Sequence, residues 1–69
     1  MDKVKPEDLE HEKDYLFWYG GGWAIGRFYI GGMFSYFNYY DEVNDDWDRA
    51  VLDNVSLIYT LPPSPAEVN

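Results

Sequence analysis

Residues 15–40 constrain this chain most, because they carry a single charge, Arg27, and are cut at short intervals by glycine. All six glycines and twelve of the fourteen aromatic residues fall inside that stretch. An uncharged run of this length invites a membrane-spanning reading. Its glycine content, its ring hydroxyls and indoles, and the scarcity of aliphatic residues argue against one. The glycines instead leave strand-length pieces. Asp14-Tyr15-Leu16-Phe17-Trp18-Tyr19 ends at Gly20-Gly21-Gly22, Trp23 to Ile30 ends at Gly31-Gly32, and Met33 to Tyr40 follows. Aromatic and β-branched side chains suit a pleated surface, and paired glycines supply the positive φ that tight hairpins require. The stretch therefore predicts an antiparallel meander with strands at 15–19, 23–30 and 33–40. Gly26, inside the second run, predicts a bulge or a close backbone approach.

The flanks are acidic. Residues 2–14 hold six acids and three lysines, and residues 41–53 hold six acids against Arg49 alone. Pro6-Glu7-Asp8 reads as the first turn of a short helix, with proline and acids where a helix start favours them. In the second flank Asn44 could cap a short helix with Trp47, Ala50 and Val51 on one side. Val55 to Leu61 predicts a fourth strand, stopped by Pro62, Pro63 and Pro65. The expected organisation is an acidic segment at 1–14, one mainly β domain at 15–61 with an acidic loop at 41–54, and a proline-rich tail at 62–69. The sheet is expected to be small, antiparallel, of three to four strands, and curled or barrel-like.

At 69 residues the chain has room for one domain. A core that small supplies roughly 3–5 kcal/mol, and such domains commonly add disulfides, a metal or a partner. Cysteine is absent and His11 is the only histidine, so neither disulfides nor the usual zinc sites are expected. Large rings are the remaining means of building a core. Thirteen acids against five bases give a net charge of −8, which repels phosphate backbones and anionic membranes and complements a basic protein. With no cysteine, and no apolar run behind Met1-Asp2-Lys3-Val4-Lys5-Pro6, the cytoplasm is the expected compartment.

Candidate chemistry is sparse. Gly20-Gly21-Gly22-Trp23-Ala24-Ile25-Gly26 lacks the helix and the lysine or hydroxyl of a phosphate-binding loop and reads as a hairpin turn. Asp41 to Asp48 is rich in oxygen ligands but lacks the register of an EF-hand loop, so a solvated acidic loop is expected. The serines lie outside any nucleophile-elbow context, and a small sheet offers little pocket for a carboxylate pair. No cofactor, no metal and no catalysis are expected.

The rings carry the most content. Alternation puts Tyr15, Phe17 and Tyr19 opposite Leu16 and Trp18, and Phe34, Tyr36, Asn38 and Tyr40 opposite Met33, Ser35, Phe37 and Tyr39. Both faces of the sheet are thus aromatic. Either the sheet curls to bury most rings, or a tyrosine-rich face stays open for a partner or a second copy. The partner-binding set expected from sequence is Asp41, Glu42, Asp45, Asp46, Trp47 and Asp48 together with Tyr36, Tyr39 and Tyr40.

Trp23-Ala24-Ile25-Gly26-Arg27-Phe28-Tyr29, then Gly31-Gly32, an aromatic run, an acidic loop and Val55-Ser56-Leu57-Ile58-Tyr59-Thr60-Leu61-Pro62-Pro63-Ser64-Pro65, resembles a family of short phage and prophage proteins of unknown function. The resemblance covers residues 15–66. It departs at Leu57 and Ile58, where the family has His-Trp, and residues 1–14 match nothing in it. It implies a small β-sheet fold and a mobile-element origin. The family has no established activity, so no residue roles carry over. The expected function is a non-catalytic phage-type inhibitor of a host protein, mimicking nucleic acid in the manner of an anti-CRISPR. The expected partner is a basic, nucleic-acid-binding nuclease or CRISPR complex. The alternative is a homo-oligomeric scaffold whose aromatic face pairs with itself.

Overall fold

A computed structural model describes residues 1–62. Five antiparallel strands form one open sheet: β1 (Asp14–Tyr19), β2 (Gly22–Tyr29), β3 (Tyr36–Asp41), β4 (Asp46–Val51) and β5 (Leu57–Thr60). Their order is β4-β3-β2-β1-β5, a four-strand meander whose last strand returns beside the first. The expected fold class is the observed one, mainly β. The expected tail lies outside the described residues beyond Pro62.

Gly20 and Gly21 make the two-residue β1–β2 turn, with φ of 60° and 80°, and Tyr19 pairs with Gly22 across it. Both central residues being left-handed is what a twist-compatible tight hairpin demands. The second glycine pair works differently. Gly31 and Gly32 lie in a longer connection between Tyr29 and Tyr36, so the third strand starts at 36 rather than 33. A Cβ on Gly31 would collide with the Phe34 carbonyl oxygen, so the glycine permits a fold-back of the loop rather than a tight turn.

The acidic loop expected at 41–54, with its Asn44-capped helix, is overturned. Asp46–Val51 is the strand β4, paired with β3 from Tyr36–Val51 to Asp41–Asp46, and a single 3₁₀ turn follows at Leu52–Asn54. Asn44 does not cap a helix. Its side-chain amide donates to Asp41 Oδ2 at 2.7 Å inside the β3–β4 turn, where Asp45 takes a φ of 54°. The N-terminal expectation of one helical turn is met by a 3₁₀ turn at Pro6–Asp8. The acidic N-terminal segment also joins the sheet. Val4 N–H donates to Ile58 O and Thr60 N–H to Asp2 O, both at 2.8 Å. Glu12 N–H donates to Phe28 O at 2.7 Å, and Phe28 N–H donates to Lys13 O at 2.9 Å. Two residues, Glu12 (φ 63°) and Lys13, thus oppose Phe28, which is a bulge that extends the β1–β2 ladder.

The sheet is strongly curled. Two strands separate neighbours-but-one by about 9–10 Å in a flat sheet. Phe17 on β1 and Phe37 on β3 nevertheless stack with ring centroids 4.4 Å apart. The concave face therefore closes on itself around Tyr15, Phe17, Phe28, Phe37, Ala50 and Ile58, all buried. Val4, Leu9, Leu52 and Val55 pack at its rim. Gly26 is buried, with the Asn38 carbonyl close against its Cα.

Candidate binding surface

Curling the sheet around one face leaves the other convex and uncovered. The register lays its side chains in rows. Asp14, Arg27, Asn38 and Arg49 stand directly opposite one another across β1 to β4. On one side of this polar row are Tyr29, Tyr36 and Val51. On the other lie Leu16 with Ile25, Tyr40 with Trp47, and further out Trp18 with Trp23. All three tryptophans of the chain are on this face. The rings meet edge-on, Trp18 with Trp23 at 5.1 Å and Tyr40 with Trp47 at 5.5 Å. Tyr59 of β5 leans on Trp23 at 5.9 Å. Much of this area faces solvent: Trp23 is 51% exposed, Ile25 60%, Tyr40 42% and Trp47 63%.

The polar row tempers the face. Arg27 Nε lies 2.9 Å from Asp14 Oδ1, and this carboxylate raises the guanidinium pKa. Both groups are half exposed, so the pair contributes little to stability. Arg49 lies over the Tyr36 ring at 4.8 Å, a cation–π arrangement.

The nine residues expected from sequence all lie on the β3–β4 hairpin, but they divide by face. Tyr36, Tyr40 and Trp47 are convex. Tyr39 and Asp48 pair on the concave side, where Tyr39 packs edge-on against Phe17 at 5.8 Å and Tyr19 at 5.9 Å. Burial pushes the Tyr39 hydroxyl pKa up, and the Asp48 carboxylate adds to the rise. Tyr39 is thus half-buried at the rim of the core. Asp41, Glu42, Asp45 and Asp46 crowd the hairpin tip. Asp41 Oδ1 accepts from the Val43 amide at 3.0 Å, and Asp45 accepts from the Tyr40 hydroxyl.

Asp46 and Asp48 have a separate task. Leu52 N–H reaches the carbonyl of Ser35, the residue before β3, so by two-residue alternation Asp46, Asp48 and Ala50 also turn their backbone groups inward. Trp47, Arg49 and Val51 turn theirs outward, along the free edge of the sheet. The Trp47 amide donates to Asp46 Oδ1 at 2.8 Å, and the Arg49 amide donates to Asp48 Oδ1 at 2.7 Å. The carboxylates occupy donors that a second strand would need, which blunts the edge.

Sequence reasoning passed over Trp18, Trp23, Ile25 and Arg27. The signal was present in the parity of β1 and β2: once Phe17 and Phe28 are inward, these four must be outward. Among the described residues, no group of three or more His, Asp and Glu side chains is disposed to hold a metal ion, and no helix is long and apolar enough to cross a membrane. Compared with protein-family models, with curated proteins and with solved structures, the chain gives no match.

Proposed function

We propose that this chain is a non-catalytic binding protein that docks on a host protein through its convex aromatic face and inhibits it. The observation that carries the reading is that Trp23, Ile25, Tyr40 and Trp47 stand about half exposed on one face of the sheet. Large rings at a surface supply most of the energy of protein interfaces, and contiguous exposed apolar area marks interaction sites. The acidic hairpin tip beside Tyr40 and Trp47 selects the kind of partner. Carboxylates there steer a basic surface into register and disfavour phosphate. A basic groove that handles nucleic acid is the natural target, in a nuclease or a CRISPR-type complex of the host cytoplasm. The phage-like phrase in the sequence suits that setting.

The test is capture of partners from host lysate by the full chain and by a Tyr40→Ser, Trp47→Ser double variant. Both side chains are exposed, so the variant is expected to fold while losing the partner by at least tenfold. Undiminished capture would exclude the convex face. The same rings also support a second reading, a homo-oligomer that pairs this face with itself. A charge of −8 on each copy opposes that association. Sedimentation over a range of concentrations separates the two, because self-pairing makes the oligomer grow with concentration.

A further inference from the structure

The sheet has three open strand edges, and two are blunted. Residues 2–4 run alongside β5, where the Asp2 amide also donates to Thr60 Oγ1 at 2.9 Å. Asp46 and Asp48 take the outward amides of β4. The third edge is internal. The β2–β3 ladder ends at Gly26–Tyr39, whereas β1–β2 pairing continues to Tyr19–Gly22. Gly22 to Ala24 therefore has a strand neighbour on one side only, because the Gly26–Tyr39 pair is closed by the Tyr40 amide donating to the Ile25 carbonyl. Phe28 directs its backbone groups to the β1 side. By alternation Trp23 directs both of its groups, and Ile25 its amide N–H, to the other side, into the gap where β2 and β3 part. That gap is a cleft of about 530 Å³ whose lining includes Trp23, Ile25, Tyr40, Asp41, Glu42 and Val43.

We propose that this cleft takes an extended, basic segment of the partner protein as an added half-strand. The inference rests on the reading that the partner is a protein, and it names the element that would be recognised. Main-chain groups of the segment pair with both groups of Trp23 and with the Ile25 amide N–H, the mode in which sheet edges capture peptides. Side-chain chemistry fixes its charge. A Lys or Arg from the segment meets the faces of Trp23 and Tyr40, which attract cations, and the carboxylates at the hairpin tip. Asp41 is committed to the turn through Val43 and Asn44. Glu42 takes part in none of the ion pairs of the described residues, and unlike Asp41, Asp45 and Asp46 it accepts no hydrogen bond within the hairpin, so its carboxylate is free to swing toward the segment. Val43 and Ile25 add apolar walls, both largely exposed without an occupant.

The experiment uses the ¹⁵N-labelled full chain and three synthetic peptides. One is acetyl-Val-Lys-Val-Arg-Val-amide, the second replaces Lys and Arg with Glu, and the third methylates alternate backbone amides of the first. The basic peptide is expected to give saturable shifts centred on the Trp23, Ile25 and Glu42 amides. The acidic and the methylated peptides are expected to bind at least tenfold more weakly, and Glu42→Gln to weaken the basic peptide several-fold. Shifts confined to the β4 edge or the polar convex row, or equal binding of the methylated peptide, would overturn the proposal. So would shifts at Trp23 and Ile25 that follow protein concentration without peptide, since a second copy would then fill the cleft. A failure here with the Tyr40→Ser, Trp47→Ser variant still losing its partner sinks the cleft and leaves the proposed function standing.

Discussion

Gly26 is the residue on which the two halves of the sheet turn. A Cβ there would lie 2.6 Å from the Asn38 carbonyl oxygen and 3.0 Å from Tyr39 Cβ, both on β3. Backbone cannot swing away as a side-chain tip can, so the strand would have to shift. Gly26→Ala is expected to destabilise the chain by about 1–3 kcal/mol, the usual range for overpacking. Gly22→Ala is the control, because nothing lies within 4 Å of a Cβ there. Urea melts of the two variants give the comparison, and equal midpoints would deny Gly26 its role. At the hairpin tip the decisive residue is Asp41. The Asn44 side-chain amide holds its carboxyl below the ordinary value; the Asn44 and Val43 backbone amides assist, and slight desolvation works the other way. A carboxyl depressed in the folded chain gives its stabilisation fully above the unfolded pKa and loses it as pH falls through the folded one. The turn should therefore loosen only at the acid end. Asn44→Ala is expected to return Asp41 toward its ordinary pKa, read by carboxyl ¹³C titration. An unmoved Asp41 would assign the depression to the backbone amides alone.

Among the elements, β4 shows what patterning conveys and where it misleads. Trp47, Ala50 and Val51 fit a helical spacing, and Asn44 is a good cap, so a helix was a legitimate expectation. Period two fits as well, with Ala50 inward and Trp47, Arg49 and Val51 outward, but one small inward residue is a faint signal. The structure is decided by needs that local sequence does not display. β3 requires a neighbour to bury Phe37, and Asn44 is already committed to Asp41. The Gly20-Gly21 turn was legible because only positive φ closes a two-residue hairpin, whereas the Gly31-Gly32 loop depends on a fold-back onto Phe34. Of the candidate surface, Tyr36, Tyr40 and Trp47 were legible from composition. Trp23 and Ile25 needed the knowledge of which face curls inward, which is a long-range fact. The element also yields a prediction. With Asp46 and Asp48 both replaced by alanine, the Trp47 and Arg49 amides lose their acceptors and the edge opens. Concentration-dependent self-association is then expected in sedimentation velocity. Asparagine at both positions keeps an acceptor oxygen and should restore the parent behaviour without the charge. An alanine variant that sediments unchanged would show that the carboxylates do not guard the edge.

For the whole molecule, one small core holds together a surface of one dominant charge. Among the described residues six side chains are buried, and the Phe37 ring packs against Tyr15, Phe17 and Phe28 with centroids 6.2, 4.4 and 5.2 Å apart. Stability of roughly 3–5 kcal/mol is all that a core of this size provides. Against it stands the mutual repulsion of thirteen acids set off by only five bases. Favourable pairs exist, Lys13 with Glu10 and Arg27 with Asp14, but both are exposed and weak. Repulsion should therefore dominate, and screening should relieve it. Raising sodium chloride from 0.05 to 0.5 M shortens the screening length from above 10 Å to about 4 Å. The urea midpoint is expected to rise, with a gain of about 0.5–1 kcal/mol, the size of one or two exposed pairs. The same salt should weaken capture of a basic partner, since screening acts on the steering charges too. Fold and function then respond to salt with opposite signs. A midpoint that falls with salt would mean that the two ion pairs outweigh the repulsion, and the acidic flanks would then be stabilising features of the fold.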